Sequence, residues 1–377
     1  MNQAKKILFI ITYLELGGAQ KQLFYLIENL DRDKYSLYLC AGDSGYLKDK
    51  FTAIDYLKVH LIPELIRTIN PLYDITAFFK LYSYIRKNKF DIVHTHSPKA
   101  SILGRWAAYF AGVKSVVYTV HGWPFHNFMN PLAYHLYLTL EKLTAKITKK
   151  IVVVSKRDLR EALDKKITRG KKLSLVHYGI DINYFSRIYL DRKKRSFDEC
   201  LVVSVSALKR QKGLNYLLNI AGELKDKLPQ IRFVIVGDGP LRGKIEKMIR
   251  KSGLTKKVVL KGWLDDLSSL YANASLFVLT SLWEGLPVSL IEAVAAGIPV
   301  LVTNTGGVSD IVKNNKQGRI VKLDDLSRLP LICEDMLDNI DSWTKTVEGE
   351  REHIVLDSWS EERMVKETEQ IYKGMVS

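Results

Sequence analysis

Short apolar runs alternate with longer amphipathic stretches along the whole chain. The runs that predict β-strands cover residues 7–11, 36–40, 92–94, 116–120, 151–154, 201–205, 232–236, 258–260, 276–279 and 300–303. Most of them are continuous Ile, Val and Leu runs rather than alternations of apolar and polar residues. Such runs are typical of strands that helices cover on both faces, so the pattern predicts parallel sheets.

Between these runs, apolar residues recur at helical spacing. Helices are predicted over residues 19–30, 214–228, 287–296 and 359–375. Strands that alternate with helices form a doubly wound fold. We therefore expect an α/β protein built from Rossmann-like domains.

The length of the chain and a break in the alternation of strands and helices predict two domains. A chain of 377 residues is longer than a domain with one hydrophobic core usually is. The alternation restarts near residue 200, after a polar and basic segment at 183–200 that we interpret as a linker. We expect a first domain at 1–183, a second at 184–359, and a C-terminal helix at 360–377 that packs back on the first.

Composition and cysteine usage narrow the class of protein. Hydrophobic residues make up 47% and charged residues 26%, as in ordinary globular domains. Cys40, Cys200 and Cys333 are too few and too widely spaced for a disulfide framework or a structural zinc site. No apolar stretch reaches the roughly 18 residues of a membrane-spanning helix, and the first run lacks the cleavage site of a signal peptide. These features favour a cytoplasmic location.

The chain is strongly basic, with a formal net charge of +16. Twelve Lys or Arg residues and four acidic residues lie between Glu141 and Lys172, and a second basic cluster occupies residues 192–195. A solvated surface, nucleic acid, an anionic membrane and phosphorylated substrates are all compatible with this charge.

Gly17 and Gly18 stand between the first predicted strand and the helix that follows. Two glycines at this place let a ligand approach the backbone and the free N–H groups of the helix N-terminus. Glycine also serves packing at many such turns, and the run does not match the dinucleotide-binding fingerprint. Both interpretations stay open.

Three histidines follow predicted strands. His94 and His96 end one strand, and His121 ends the next, with Gly122 behind it. Ligands of open α/β sheets bind beyond the carboxyl ends of the strands. The histidines are therefore candidates for metal binding, for acid–base chemistry, or for hydrogen bonds that shape the loops. Their spacing gives no support for zinc.

The second half carries candidate phosphate ligands at the same kind of position. Arg210 and Lys212 follow a strand, where their charges can neutralise a pyrophosphate leaving group. The turn of Gly237, Asp238 and Gly239 follows the next strand. This turn is either a rigid helix cap or a part of the site.

Two glutamates flank a predicted helix start. Glu284 lies on the loop before Pro287, which is expected to open the helix, and Glu292 lies in the second turn. One carboxylate can then reach a sugar hydroxyl while the other reaches a ribose diol. Free N–H groups beside Leu286 can meet phosphate.

In this order, the motifs resemble the retaining glycosyltransferases of family 4, which have the GT-B fold of two Rossmann-like domains facing a central cleft. The resemblance rests on residues 17–20, 121–122, 178–181, 211–213, 237–240 and the two glutamates, which are separated by seven residues. It implies transfer of a hexose from a nucleotide sugar, with UDP favoured, to a glycan or lipid-linked acceptor. Configuration is expected to be retained, with no metal ion and no cofactor. The run 94–104 is similar to that of bacterial polysaccharide-assembly members, so surface-glycan biosynthesis is the expected context.

The resemblance also implies roles for the motif residues. His121 is expected beside the transferred sugar and Glu284 at its hydroxyls, as the catalytic pair. The implied donor-binding residues are Gly17, Gly18, Lys212, Gly237, Asp238, Gly239, Trp263, Leu264, Gly285, Leu286, Pro287 and Glu292. Among these, Lys212 is expected at the pyrophosphate and Glu292 at the ribose, while the base is expected against 263–264.

Two positions depart from simple expectations. Many members carry a phosphate-binding arginine where Ala207 stands here, and Arg210 is the expected replacement. The run 31–33, Asp-Arg-Asp, matches the metal-binding pattern of the other large glycosyltransferase fold. Because it lies on the amino side of a strand, we interpret it as a solvated turn.

Aromatic residues at 123–143 precede the basic segment. Aromatic side chains beside cations suit a membrane interface, so we expect peripheral attachment to the inner face of the plasma membrane and a lipid-linked acceptor. Packing of the aromatic residues against the first domain is the alternative.

Two other functions stay open. A UDP-sugar 2-epimerase shares the GT-B architecture and needs no acceptor, although the spacing of the glutamates favours transfer. A non-catalytic protein could bind nucleic acid through the basic surface, but no zinc-finger spacing or RNA-binding aromatic signature supports a specific nucleic-acid partner.

Overall fold

The computed structural model describes residues 4–193, 200–351 and 356–376. The chain divides into two units, one formed by Met1–Gly179 with Glu361–Ser377 and the other by Ile180–Ser360. Each unit holds one parallel sheet. The α/β class and the parallel sheets predicted from the apolar runs are confirmed.

The strands of the described residues are β1 (Lys5–Ile11), β2 (Tyr35–Ala41), β3 (Leu57–Leu61), β4 (Ile92–His96), β5 (Ser115–Val120), β6 (Lys150–Val153), β7 (Leu173–Leu175), β8 (Cys200–Val205), β9 (Ile231–Val236), β10 (Val258–Gly262), β11 (Leu276–Leu279), β12 (Val300–Thr303) and β13 (Gly318–Val321). The α-helices are α1 (Gly18–Asn29), α2 (Lys48–Thr52), α3 (Pro71–Asn88), α4 (Pro98–Phe110), α5 (Pro131–Lys146), α6 (Lys156–Asp164), α7 (Ile182–Arg192), α8 (Leu214–Leu224), α9 (Arg242–Lys251), α10 (Ser268–Asn273), α11 (Val288–Ala295), α12 (Val308–Ile311), α13 (Leu329–Asp338), α14 (Ile340–Arg351) and α15 (Glu361–Val376). Short 3₁₀ turns cover Gly170–Lys172, Arg210–Lys212, Leu323–Arg328 and Leu356–Trp359.

Both sheets reverse their winding direction at one point. The strand order is β3-β2-β1-β4-β5-β6-β7 in the first unit and β10-β9-β8-β11-β12-β13 in the second. The chain therefore winds outward from β1 or β8 and then returns to the other side with β4 or β11. Loops on either side of such a reversal diverge and leave a crevice at the carboxyl ends of the strands, which is where ligands of doubly wound sheets bind.

The continuous apolar runs are explained by packing on both faces of the sheet. Along β1, Phe9 packs in one cluster with Leu23 of α1, while Ile10 packs in another with Ile85 of α3. Both strand residues are fully buried. A strand covered on both faces favours apolar side chains at successive positions, so its sequence does not alternate.

Three strands were not predicted from the sequence, and all three lie at the edges of their sheets. β3, β7 and β13 are the outermost strands of their sheets. They are short and only partly buried. An edge strand is covered on fewer sides, so it carries polar residues and lacks the continuous apolar run that marks a central strand.

The linker predicted at 183–200 is wrong for the part that the structure describes. Residues 182–192 form α7, capped by Asp181, whose carboxylate accepts a hydrogen bond from the Tyr184 amide at 2.9 Å. Phe185 and Ile188 are buried, so α7 belongs to the core of the second unit. Most polar residues of α7 lie on its exposed side, but Arg192 is buried. Residues 194–199, including part of the basic cluster, lie outside the described residues.

The C-terminal helix packs within the first unit. Met364, Val365 and Tyr372 of α15 join the apolar cluster that contains β1 and α1. The Tyr372 hydroxyl also lies 2.6 Å from Nδ1 of His94. The helix thus contributes both apolar contacts and a polar contact close to the end of β4.

Two further predictions concern surfaces. The run 31–33 forms a turn between α1 and β2, where Asp31 pairs with Lys34, as expected.

Trp123 and Phe125 are 7% and 2% exposed and stack on each other, so these two aromatic residues pack inside the first unit rather than face a membrane. In the described part of the chain, no helix has both the length and the apolar character needed to cross a bilayer.

A buried ion pair joins α4 to α5 and yields a stability prediction. Arg105 and Glu141 are both fully buried, 2.8 Å apart, and the guanidinium lies 4.1 Å from the ring centre of Tyr118. Glu141→Gln leaves this arginine charge uncompensated in the core. We expect the free energy of unfolding in urea to fall by about 3–5 kcal/mol.

The matched control is Glu64→Gln, which removes the partner of Lys80 in a pair that is 46% exposed on the lysine side. Its cost should stay below about 1 kcal/mol, because solvent screens exposed pairs. Equal effects of the two substitutions would contradict the structural role assigned to the buried pair.

Candidate active site

The predicted donor motifs of the second unit lie at its sheet reversal. Lys212 lies on the loop that leaves β8, and Glu284 lies on the loop that leaves β11. β8 and β11 are hydrogen-bonded neighbours, although 72 residues separate the two side chains. The two loops therefore leave adjacent strands at the crevice expected for a ligand.

The carboxylate of Glu284 is held by three side chains. Lys212 Nζ lies 2.5 Å from Oε1, the Ser281 hydroxyl donates to the same oxygen at 2.7 Å, and Gln211 Nε2 donates to Oε2 at 3.3 Å. The side chains of Lys212 and Glu284 are 16% and 7% exposed. A fixed carboxylate next to an ammonium group can accept bonds from hydroxyl groups while the cation faces an anion.

Backbone contacts fix the two loops against each other. The Leu282 amide donates to the Gln211 carbonyl at 2.7 Å, and the Thr280 hydroxyl donates to the Lys212 carbonyl at 3.1 Å. Gly213 has φ +55°, and a Cβ there would lie 2.2 Å from the Thr280 oxygen. Only glycine satisfies both the left-handed backbone and this close approach.

The loop after β12 supports the turn that follows Glu284. The Gly307 amide donates to the Gly285 carbonyl at 2.6 Å. Gly306 has φ +50°, and a Cβ there would lie 2.4 Å from the carbonyl oxygens of both Glu284 and Gly285. The turn at 284–287 is thus held in place by a second close contact that requires glycine.

Glu292 occupies the second turn of α11, as predicted, whereas Pro287 is the residue before the helix rather than its first residue. The Glu292 side chain is buried, and the Tyr271 hydroxyl donates to its Oε2 at 2.9 Å. Burial and the Glu292 charge hold the pKa of Tyr271 well above its usual value, so the phenol stays a donor. Leu286, on the turn before the helix, is buried as well.

The turn at 237–239 packs beneath the loop that leaves β8. Gly237 has φ +132°, and a Cβ there would lie 2.2 Å from the Ser206 carbonyl. Asp238 bonds the Gly239 amide at 2.7 Å and pairs with Arg242 at 3.0 Å. Leu241 is the residue before α9, and no side chain of the described residues caps this helix, so Asp238 fixes the turn without capping the helix. A donor contact by these residues stays a prediction.

The remaining predicted donor residues lie near these loops or at the end of the next strand. Arg210 is exposed in the 3₁₀ turn that ends with Lys212, and Ala207 is half-buried upstream. Trp263 and Leu264 are half-buried and follow β10, whose last residue, Gly262, accepts a hydrogen bond from the amide of residue 237 at 2.7 Å.

In the first unit, Gly17 and Gly18 lead from β1 into α1. Gly17 has an ordinary φ of −122°, and a Cβ there would meet only the flexible end of Gln20. Backbone conformation therefore does not require glycine at this turn. Its contribution to a ligand site stays a prediction.

The three histidines form one cluster in which His94 and His96 are buried and His121 is half-buried, and their contacts give them two different roles. His94 uses both ring nitrogens inside the fold, with Tyr372 at 2.6 Å and Thr119 at 2.7 Å. His96 Nδ1 lies 2.9 Å from Nε2 of His121, whose Nδ1 lies 2.5 Å from the Tyr178 hydroxyl. Of the alternatives left open by the sequence, hydrogen bonding is the one these contacts support.

Burial keeps these rings neutral. It lowers the pKa of His94 and of His121 to about 3 and that of His96 well below its ordinary value, with the neighbouring histidines adding to the effect on His94 and His96. Both ring nitrogens of His121 are engaged, so its ring has neither a charge nor a free nitrogen to offer in this arrangement.

Several partners of the site residues were not predicted. Ser281, which bonds Glu284, and Tyr271, which bonds Glu292, have no motif of their own. Tyr178 lies in the run 178–181 that supports the family resemblance, but its contact with His121 had no signal in the sequence.

Known proteins resemble this chain along most of its length. The family model described as Glycosyltransferase Family 4 matches residues 16–184, and the model described as Glycosyl transferases group 1 matches residues 189–341. A UDP-Gal:alpha-D-GlcNAc-diphosphoundecaprenol alpha-1,3-galactosyltransferase of Escherichia coli is 32% identical over 341 residues, which are 86% of this chain and 87% of that protein. The capsular polysaccharide biosynthesis glycosyltransferase CapM of Staphylococcus aureus is 24% identical, with 92% of each chain covered.

Solved structures match along nearly the full length. HepE of Anabaena, in complex with UDP and glucose, superposes with a TM-score of 0.79 at 20% identity, covering 99% of this chain and 100% of that one. The sucrose-phosphate synthase of Thermosynechococcus elongatus gives a TM-score of 0.81 at 19% identity, with 98% of each chain covered. At these identities the likeness concerns the fold, which is GT-B.

The two sheet reversals, the order of the motifs on them and the similarity to the Escherichia coli enzyme over 86% of the chain lead to one conclusion. The chain belongs to the glycosyltransferases of family 4 and has the GT-B fold.

Proposed function

We propose that this enzyme transfers a hexose from a UDP-sugar to a lipid-linked saccharide in the biosynthesis of a bacterial surface polysaccharide. The observation that carries the proposal is the contact of Lys212 with Glu284 at the β8/β11 reversal. A cation and a fixed carboxylate at one crevice suit a ligand that joins a diphosphate to a sugar. UDP-galactose is the first donor to test, because the Escherichia coli relative is named for it.

In the proposed donor complex, each half of the pair has its own task. The Lys212 ammonium meets the diphosphate, and the Glu284 carboxylate accepts hydrogen bonds from sugar hydroxyls, with the braced turn at 284–287 behind it. Glu292 meets the ribose through an oxygen whose orientation Tyr271 fixes. Trp263 and Leu264 line the base.

The reaction is proposed to retain configuration without a metal ion. Charge that develops on the leaving diphosphate is stabilised by Lys212, with Arg210 in place of the arginine absent at Ala207. The leaving phosphate itself takes the proton of the acceptor hydroxyl on the same face of the sugar. Arg210 is exposed and two residues from Lys212, which supports this assignment.

A peripheral position on the inner face of the plasma membrane is proposed for acceptor capture. Of the sixteen exposed large apolar side chains among the described residues, eleven lie between Ile69 and Leu143, on or beside α3, α4 and α5. Residues 64–150 contain twelve Lys or Arg and four acidic residues. Exposed apolar groups among cations suit an anionic lipid surface, and the acceptor in the name of the Escherichia coli relative is a diphosphoundecaprenol.

The direct test of the proposed function is incubation of the enzyme with UDP-galactose and a lipid-linked α-GlcNAc-diphosphate. We expect release of UDP together with a disaccharide whose new linkage is α by NMR. Formation of an epimer of the donor without free UDP would support the epimerase instead. No product with any of a panel of UDP-sugars would contradict the proposal.

Substitutions of the central pair should separate catalysis from folding. Lys212→Ala and Glu284→Ala are each expected to lower kcat by about 10²- to 10³-fold, because each removes a fixed charge at the reacting centre. The control in the same unit is Lys227→Ala, which removes an exposed pair with Glu334. Circular dichroism should show retained folding in all three variants, and near-normal turnover of either site variant would refute its assignment.

Liposome flotation tests the membrane proposal. The enzyme should float with anionic vesicles at low salt and release at high salt, because salt screens the lipid attraction. Leu132→Asp, at a side chain 80% exposed on α5, should reduce the bound fraction severalfold. Leu331→Asp, at a side chain 64% exposed on α13 of the second unit, is the matched control and should bind as the wild type does. Absence of flotation at low salt would end the proposal.

A further inference from the structure

Among the described residues, His96 has a single hydrogen-bond partner in the protein, which is His121. The Nδ1 of His96 lies 2.9 Å from the Nε2 of His121, and the two rings stack at an interplanar angle of 24°. The His121 ring then continues to the Tyr178 hydroxyl at 2.5 Å. His96 is only 2% exposed, so the chain of three groups begins deep inside the first unit.

A chain of this kind couples the proton positions of its members. A neutral imidazole has one donor nitrogen and one acceptor nitrogen. If His96 donates to His121, then His121 must donate to Tyr178, and if Tyr178 donates to His121, then His121 must donate to His96. The tautomer of His121 is therefore coupled to the direction of its bond with His96, and the two bonds together fix the orientation of its ring.

The other ring nitrogen of His96, Nε2, is buried without a hydrogen bond to the described part of the protein. His96 also lines a small cavity of about 30 Å³, together with Thr119, Tyr178 and Thr368, a volume sufficient for one water. Even with a water at Nε2, an apolar side chain at position 96 would avoid burying a polar ring, so packing alone does not favour histidine there.

The neighbouring His94 provides the contrast. It lies on the same strand, and both of its nitrogens are bonded to other elements of the fold, Tyr372 on α15 and Thr119 on β5. That pattern is sufficient to explain His94 as a structural residue. His96 is different, because within the described ranges His121 is the one protein group that hydrogen-bonds it, and this single bond does not explain a buried histidine by structure alone.

We propose that His96 is a positioning residue for glycosyl transfer, which fixes the tautomer and the ring orientation of His121 at the carboxyl end of β5. The inference rests on the proposed function and on the family resemblance, which implies that His121 lies beside the transferred sugar. His121 then acts through its fixed shape as a neutral ring, because both of its nitrogens are committed to His96 and Tyr178.

Two amide substitutions distinguish the two nitrogens of His96. His96→Asn places an amide atom near the former Nδ1 and can keep the bond to His121. His96→Gln places its amide near the former Nε2 and cannot keep that bond without moving. Both variants bury a polar amide of similar character, so a loss of packing alone should affect them alike. Tyr372→Phe, which removes one buried hydrogen bond to His94, is the control for stability.

The first readout is the ¹⁵N NMR spectrum of the histidine rings, which needs no substrate. The wild type and His96→Asn should show His121 as one neutral tautomer, and His96→Gln should show averaged ring shifts. The same single tautomer in His96→Gln would overturn the proposal.

The second readout is turnover of UDP-galactose with the lipid-linked acceptor. We expect kcat of His96→Gln to fall by about 10- to 100-fold with little change in KM, as a misplaced active-site group does. His96→Asn and Tyr372→Phe should stay within about threefold of the wild type, which corresponds to less than 1 kcal/mol. Wild-type kcat in His96→Gln, or equal losses in all three variants, would overturn the proposal. If the wild type itself turns over no UDP-sugar, the proposed function fails while the NMR result still decides the role of His96.

Discussion

The reversal of winding between β8 and β11 is the constraint on which the candidate site depends. Because β8 and β11 are neighbours in the sheet while their helices go to different sides, the loops after these strands start side by side. Lys212 ends one loop and Glu284 lies on the other, so a cation and a carboxylate that are distant in sequence meet at 2.5 Å. Moving either residue to another loop would separate the charges, whatever the local sequence.

The loops that carry this pair are held by backbone contacts that tolerate no side chain. Gly213 and Gly306 both adopt positive φ, and a Cβ at either would lie within 2.4 Å of a carbonyl oxygen of the facing loop. Close contact between loops leaves little freedom for the charged side chains, which is what an electrostatic site requires, since preorganised charges cost no rearrangement during the reaction. In the first unit, side chains rather than backbone contacts restrict a site residue, because His96 and Tyr178 hydrogen-bond His121.

Sequence analysis predicted the elements whose physical basis is local. Ile7 to Ile11 is apolar because both faces of β1 are covered, and Glu284 and Lys212 were located because they follow strand ends. The edge strand Gly318–Val321 was missed because it is short and only partly buried. The helix Ile182–Arg192 was missed because charged residues, among them the buried Arg192, interrupt its apolar positions. Ser281, Tyr271 and Tyr178 were missed for a different reason. Ser281 contacts Glu284 within one loop, while Tyr271 and Tyr178 contact residues on other elements. No periodicity of the sequence records contacts of either kind.

Lys212 and Glu284 are proposed to bind the two parts of one donor molecule. The decisive experiment is a crystal structure of the enzyme with intact UDP-galactose. We expect diphosphate oxygens within hydrogen-bonding distance of Lys212 Nζ and galactose hydroxyls at the Glu284 carboxylate. A donor bound with its sugar and its diphosphate away from both side chains would contradict this proposal.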